Sequence, residues 1–310
     1  MPPGAQIDDL VTLRDWLRYG VSQFSRARLV YGHGTDNAAS EAAFLMLTTL
    51  DLPVDNLEPW LDCRLTRPER SAILGLLQRR IETRKPASYL TNTAWIQGRR
   101  FYVDERVIVP RSFIGELLCH DQLASAAGDP YKTTRVLELC TGSGCLAILA
   151  AEAFPLAHID AIDLSPGALD VARRNIADYG LGERITLIKS DLFDACPPKA
   201  YDLIIANPPY VTTAAVAAFP PEYKAEPAMA HDGGADGLDL VHRILDAAPH
   251  FLSPQGALVV EVGQAGRALK ISRPNLPFLW FDTETSEGEV FALQASDFIL
   301  AADRTSRKTG

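Results

Sequence analysis

The 310-residue sequence has no CxxC pair among its five cysteines, Cys63, Cys119, Cys140, Cys145 and Cys196. An odd, scattered set excludes a disulfide-stapled scaffold and indicates a reducing compartment. Its six histidines complete no metal-ligand pattern, so no metal is expected. No apolar stretch approaches the roughly 20 residues that cross a bilayer. Asp8 and Asp9 precede the first apolar run, so neither a membrane anchor nor a secretory leader is expected. Basic charge is also short: 30 Lys and Arg face 39 Asp and Glu, a formal charge of -9, with a pI near 5.2. That deficit argues against a protein that coats nucleic acid and suits a basic partner. Internal repeats and low-complexity tracts are absent. What is there is a globular composition, 47% apolar, on a chain longer than one typical domain. A cytoplasmic protein with one full core and a smaller companion domain is expected.

Residues 1–86 read as a small helical domain. Leu13, Trp16, Leu17 and Val21 mark one helix, and Ala43, Phe44, Leu47 and Leu50 mark another. A third helix opens at Thr66 and Glu69, which stand at capping-box spacing, with Pro68 in its first turn. Residues 87–110 change to extended runs, Trp95-Ile96 and Phe101-Tyr102-Val103 around Gln97-Gly98-Arg99-Arg100, which predicts a β-hairpin linker. Residues 111–299 then alternate strands and helices. Val136 to Leu139, His158 to Asp163, Ile185 to Lys189, Tyr201 to Ala206 and Ala257 to Val262 predict an α/β, doubly wound, mostly parallel sheet. Phe278 to Phe281 and Glu289 to Leu293 add a pair of strands at one edge, and residues 300–310 are expected to be a flexible tail.

Chemistry concentrates at the predicted strand ends. Asn207-Pro208-Pro209-Tyr210 closes the fourth strand. Neither proline can donate a hydrogen bond, so the Asn207 Oδ1 and the stiff Pro208 carbonyl are two acceptors able to converge on one planar NH2 group. Glu138-Leu139-Cys140-Thr141-Gly142-Ser143-Gly144 ends the first strand, where small residues let backbone approach a nucleotide cofactor; a plain strand-to-helix turn is the alternative. Asp163 stands where a carboxylate accepts ribose hydroxyls, or where it caps a helix through Ser165 and Pro166. Asp191 ends the third strand within reach of an adenine amine, with Leu192 or Phe193 against the base. The first glycine of a dinucleotide fingerprint is replaced by Cys140, which favours S-adenosyl-L-methionine over NAD.

These four motifs together resemble the class I S-adenosylmethionine-dependent protein-(glutamine-N5) methyltransferases. Tyr89-Leu90-Thr91-Asn92, Ala94-Trp95 and Val107 to Ser112 resemble the branch acting on large-subunit ribosomal protein L-three. The likeness runs from about residue 10 to residue 296. It implies a Rossmann-like, seven-stranded fold, catalytic Asn207, Pro208 and Tyr210, and a substrate surface adding Pro209, Phe101 and Arg111. Glu138, Cys140, Thr141, Gly142, Ser143, Gly144, Asp163, Asp191, Leu192 and Asn207 are implied to hold the cofactor, with no metal. The sister branch, acting on the Gly-Gly-Gln loop of release factors, carries Pro-Arg-Pro where this chain reads Pro110-Arg111-Ser112.

Release-factor methylation and amino methylation of adenine or cytosine are the alternatives within enzymology; a non-catalytic adaptor is the one outside it. An enzyme of nucleic acid needs basic, aromatic-studded surface. Arg99-Arg100 and Arg79-Arg80 are the candidates for a weak contact with ribosomal RNA, and solvated faces are the simpler reading of both. Cys119-His120 is read as helix packing beside an exposed histidine, and Trp16, Trp60 and Trp280 as core aromatics. Glu261, ending the fifth strand, is either a cap or a support for the site.

Overall fold

The computed structural model describes residues 7–301 apart from 121, 199 and 285. The sequence-predicted tail therefore lies outside the described residues from 302 onward. Three helices come first: α1 (Leu13–Ala27), α2 (Ala38–Thr49) and α3 (Arg67–Thr83). α3 opens on the expected Thr66–Glu69 capping box. α1 opens on a second box, Thr12 with Asp15, where the aspartate does the same reciprocal work. Leu13, Trp16, Phe24, Leu45, Met46 and Leu77 form a separate apolar cluster with these helices.

The linker begins with a short helix, α4 (Ala87–Thr91), where extended chain was expected. Strands β1 (Ala94–Ile96) and β2 (Arg99–Phe101) follow as the predicted hairpin. Its two-residue turn has Gln97 at φ 49° and Gly98 at φ 70°, the left-handed pair that matches the twist of the flanking strands.

The remaining elements are α5 (Phe113–Cys119), α6 (Ala124–Ala127), β3 (Arg135–Leu139), α7 (Cys145–Ala153), β4 (His158–Asp163), α8 (Pro166–Asp178), β5 (Ile185–Lys189) and β6 (Tyr201–Ala206). After them come α9 (Thr213–Ala217), α10 (Asp239–Ala247), β7 (Leu252–Glu261), α11 (Gly266–Ser272), β8 (Leu279–Asp282) and β9 (Glu287–Gln294). The seven strands order as β5-β4-β3-β6-β7-β9-β8. The first five are parallel; β9 pairs antiparallel with both β7 and β8. This is the class I S-adenosylmethionine-dependent methyltransferase arrangement.

Strand alternation sorts the core into two layers. Val136, Ile159, Leu203 and Ile205 face α5 and α7, while Leu137, Ile162, Ile204 and Leu258 face the layer containing α10. Because Leu139 pairs with both Ile162 and Ala206, three strands finish together at one edge. Open parallel sheets bind ligands there, where strand order reverses. No helix among the described residues is long and apolar enough to cross a membrane.

Candidate active site

After β3 the backbone turns sharply, with Cys140, Gly142 and Gly144 all at positive φ (60°, 55° and 79°), and α7 starts immediately. The resulting cleft is lined by Cys140, Gly142, Asp163, Asp191, Leu192 and Asn207, with Ile108, Pro209 and Met229 also on its walls. Asp163 Oδ2 accepts the Gly142 N–H and its Oδ1 accepts the Ser165 N–H, each at 2.8 Å. Each oxygen keeps a lone pair, so a diol can still be bound. Burial raises the Asp163 pKa, and the backbone N–H groups of Ser165, Gly142 and Leu164 oppose that rise. The helix cap itself is Ser165, which accepts from Ala168 at 3.2 Å. The capping alternative for this stretch thus falls to Ser165, two residues on from Asp163.

Asp191 lines the cleft while pairing with Arg243 at 3.0 Å. Leu192 is buried at φ 47°. Arg106 also lines the cleft, but its guanidinium is held by both oxygens of Asp104, at 2.9 and 2.6 Å. Two carboxylates, apolar walls and a committed arginine suit a nucleoside bearing a diol, an amine and positive charge; they suit a pyrophosphate poorly. S-adenosyl-L-methionine has those groups.

On the acceptor side, Asn207 Nδ2 donates to the Arg111 carbonyl at 3.4 Å. That bond fixes the amide, and Oδ1 accepts no hydrogen bond among the described residues. Tyr210 donates from its hydroxyl to Glu261 Oε1 at 3.1 Å. Its ring lies on Gly263, where a Cβ would stand 2.6 Å from Tyr210 Cε2 and φ is +49°, so only glycine serves. Glu261 Oε2 accepts the Ser112 hydroxyl at 2.6 Å and the Phe113 N–H at 2.9 Å. Glu261 therefore both anchors the start of α5 and supports Tyr210. Burial raises its pKa, against the lowering effect of the Ser112 and Tyr210 bonds.

Behind this site lies a buried charge network. Glu226 accepts the Val109 N–H at 2.8 Å, both Arg111 amino groups at 2.9 and 2.7 Å, and His231 Nε2 at 2.9 Å. Burial pushes its carboxyl up, yet hydrogen bonds from His231, His33 and Arg111 outweigh that and hold it far below the usual carboxylate range. On the same loop Glu222 meets Arg84 at 2.6 Å and the Val30 N–H at 3.1 Å. Arg80, fully buried, donates to Glu41 at 2.7 Å.

Residues 119–219 match the family described as Methyltransferase small domain. A ribosomal protein uL3 glutamine methyltransferase of Bordetella pertussis is 53% identical over 285 residues, covering 92% of this chain and 95% of that protein. Its counterpart in Bradyrhizobium diazoefficiens is 51% identical over 294 residues, 93% and 92% of the two chains. That of Burkholderia pseudomallei is 52% identical over 298 residues, 94% and 97%. The chain belongs to the ribosomal protein uL3 glutamine methyltransferase family.

For this family member the sequence-predicted residues fall into three groups. Cys140, Gly142, Asp163, Asp191, Leu192, Asn207 and Pro209 share the cleft. Glu138, Thr141, Ser143 and Gly144 do not line it: they build the turn beneath. Glu138 is buried, accepts from the Thr141 hydroxyl and has its pKa pushed up to about 8 by burial. Phe101 must be corrected, because its ring is buried in the core and stacks on Tyr179 at 5.4 Å, away from any substrate. Arg111 serves through its carbonyl, its guanidinium being taken by Glu226.

Other expectations are corrected too. Cys119 is exposed beside exposed His120, since Ile114, Leu117 and Leu118 use the buried face of α5. Arg80 is no solvated charge, whereas Arg79, Arg99 and Arg100 are exposed, as the solvated-face reading had them. Trp16 is buried as expected, whereas Trp60 and Trp280 are half-buried. Glu222 and Glu226 were not foreseen as a network; the only signal was the Glu226-Pro227 loop.

Proposed function

We propose that this chain transfers a methyl group from S-adenosyl-L-methionine to the side-chain amide nitrogen of a glutamine in the large-subunit ribosomal protein uL3. Relatives alike along nearly the whole chain, helical region included, support that substrate. The observation that carries the chemistry is the Asn207 amide, fixed through Nδ2 and left with Oδ1 as an acceptor at the cleft.

A glutamine nitrogen is a poor nucleophile because its lone pair is shared with the carbonyl. When bound, S-adenosyl-L-methionine supplies an electrophilic methyl group. Asn207 Oδ1 and the Pro208 carbonyl accept the two amide N–H groups and so turn the nitrogen lone pair toward the cleft. Positioning of this kind contributes about 7 kcal/mol in well-aligned systems. Tyr210, steadied by Glu261, covers the planar amide and excludes water. The proton lost after transfer passes to solvent; no general base is needed beforehand. Cys140, Gly142, Asp163, Asp191 and Leu192 hold the cofactor, and the helical region up to residue 86 reads the protein substrate. The reaction belongs to the cytoplasm, where ribosomal proteins are assembled.

Methyl incorporation from labelled cofactor into purified uL3, a release factor and ribosomal RNA tests the reading. Label should enter uL3, and Asn207→Ala should lower turnover about 100-fold with unchanged binding of S-adenosylhomocysteine. Label in RNA or the release factor instead of uL3 overturns it.

A further inference from the structure

A second hollow, of about 480 Å³, lies between the helical region and the hairpin. Leu17, Phe44, Val54, Leu57 and Trp95 give it apolar walls, and Trp95 is 39% exposed although large and apolar. On its lining stands His33, whose side chain is 1% exposed and whose ring packs on Tyr223 at 4.3 Å.

The segment that supplies most of the lining, from His33 to Leu57, carries charge of one sign. Residues 29–63 contain Asp36, Glu41, Asp51, Asp55, Glu58 and Asp62 and not one Lys or Arg. Glu41 and Asp62 are paired with Arg80 and Arg14, while Asp36, Asp51, Asp55 and Glu58 are exposed. The chain that borders the hollow leads on to the methyl-acceptor side. Val109 lines it, and two residues on, the Arg111 carbonyl holds Asn207. His33 itself stands 3.4 Å from the Glu226 carboxylate that grips Arg111.

We propose that this hollow docks a basic segment of the protein substrate, seating an apolar side chain between Phe44 and Trp95. The proposal rests on the uL3 reading. A protein that packs against ribosomal RNA carries excess positive charge, the complement of this acidic segment. The glutamine is thereby held at two points, one chemical and one remote, and remote binding is what orients a reacting group.

Steady-state kinetics with purified uL3 test it, using wild type, Trp95→Ala, Ala43→Arg and the triple variant Asp51→Asn, Asp55→Asn, Glu58→Gln. KM for uL3 should rise about tenfold in the first two variants, as for a truncated or blocked aromatic anchor. In the charge variant it should rise about threefold and lose most of its salt dependence. In all three, kcat should stay within about twofold, with S-adenosylhomocysteine binding unchanged. The triple variant alters only surface side chains, so it decides the matter even if Ala43→Arg misfolds. An unchanged KM in Trp95→Ala and the triple variant overturns the docking site. A dimer that Trp95→Ala dissociates assigns the hollow to a second copy and overturns it as well. Absence of transfer by the wild type instead overturns the uL3 reading.

Discussion

The cofactor-side cleft and the seam behind it differ in how far their partners lie apart along the chain. In the cleft, Asp163 reaches Gly142 across 21 positions and Ser165 across two. In the seam, Glu226 reaches Arg111 across 115 positions, and Glu222 reaches Val30 across 192. The cleft follows from what a strand end and a tight turn do by themselves. The seam exists only once the helical region has docked, and it binds through charge, so it has no periodicity to announce it. One region sets the chemistry and the other sets the geometry in which a large substrate meets it.

Glu226→Ala is the severest way to break that distinction. Removing one partner from a buried ion network leaves Arg111 uncompensated and should cost about 3–5 kcal/mol by urea denaturation. Acid makes the same point. The folded Glu226 pKa is depressed, so its contribution is fully present above the unfolded value, near 4.5, and is lost as pH falls below it toward the folded value. Melting curves from pH 7 to pH 3 should therefore show a loss in wild type that is much smaller in Glu226→Gln.

Phe101→Ala sharpens the comparison from the other side. A buried ring taken from the core should cost about 3 kcal/mol of stability, with KM for uL3 unchanged at a temperature where the variant is folded. A KM increase would restore Phe101 to the substrate surface. Tyr210→Phe is the mildest. It removes one hydrogen bond to Glu261, worth about 1 kcal/mol, and should reduce kcat several-fold without changing the melting temperature by more than a few degrees. A drop as large as that of Asn207→Ala would give the hydroxyl a direct catalytic part.

The elements legible beforehand are those with local rules. The capping box at Thr66, the Gln97-Gly98 turn and the strand endings at Leu139, Asp163 and Ala206 each depend on neighbours a few residues away. At Asp163, where a helix cap was one alternative, the cap passed to Ser165. Glu138 was drawn toward the cofactor because it belongs to the glycine-rich turn, but alternation on β3 turns it under the turn instead. Phe101 and Arg80 were misread for a common reason. A residue at a hairpin or on an apparently polar helix face has no local sign of what will cover it. Tyr179 covers Phe101 from α8's end, and Glu41 with the Glu222 loop covers Arg80. Glu261 stayed ambiguous in sequence because its partners, Ser112 and Tyr210, lie 149 and 51 positions away.

The place of β9 in the sheet has a consequence for timing. It is the last strand among the described residues, yet it is inserted between β7 and β8 and supplies Val290 as the partner of Glu261. Chains emerge at roughly 5–20 residues per second, so β7 waits with one side unpaired while some thirty residues more are made, an estimate from that rate and the strand spacing. The carboxylate that steadies Tyr210 thus reaches its final setting only after the residues of β9 have been made.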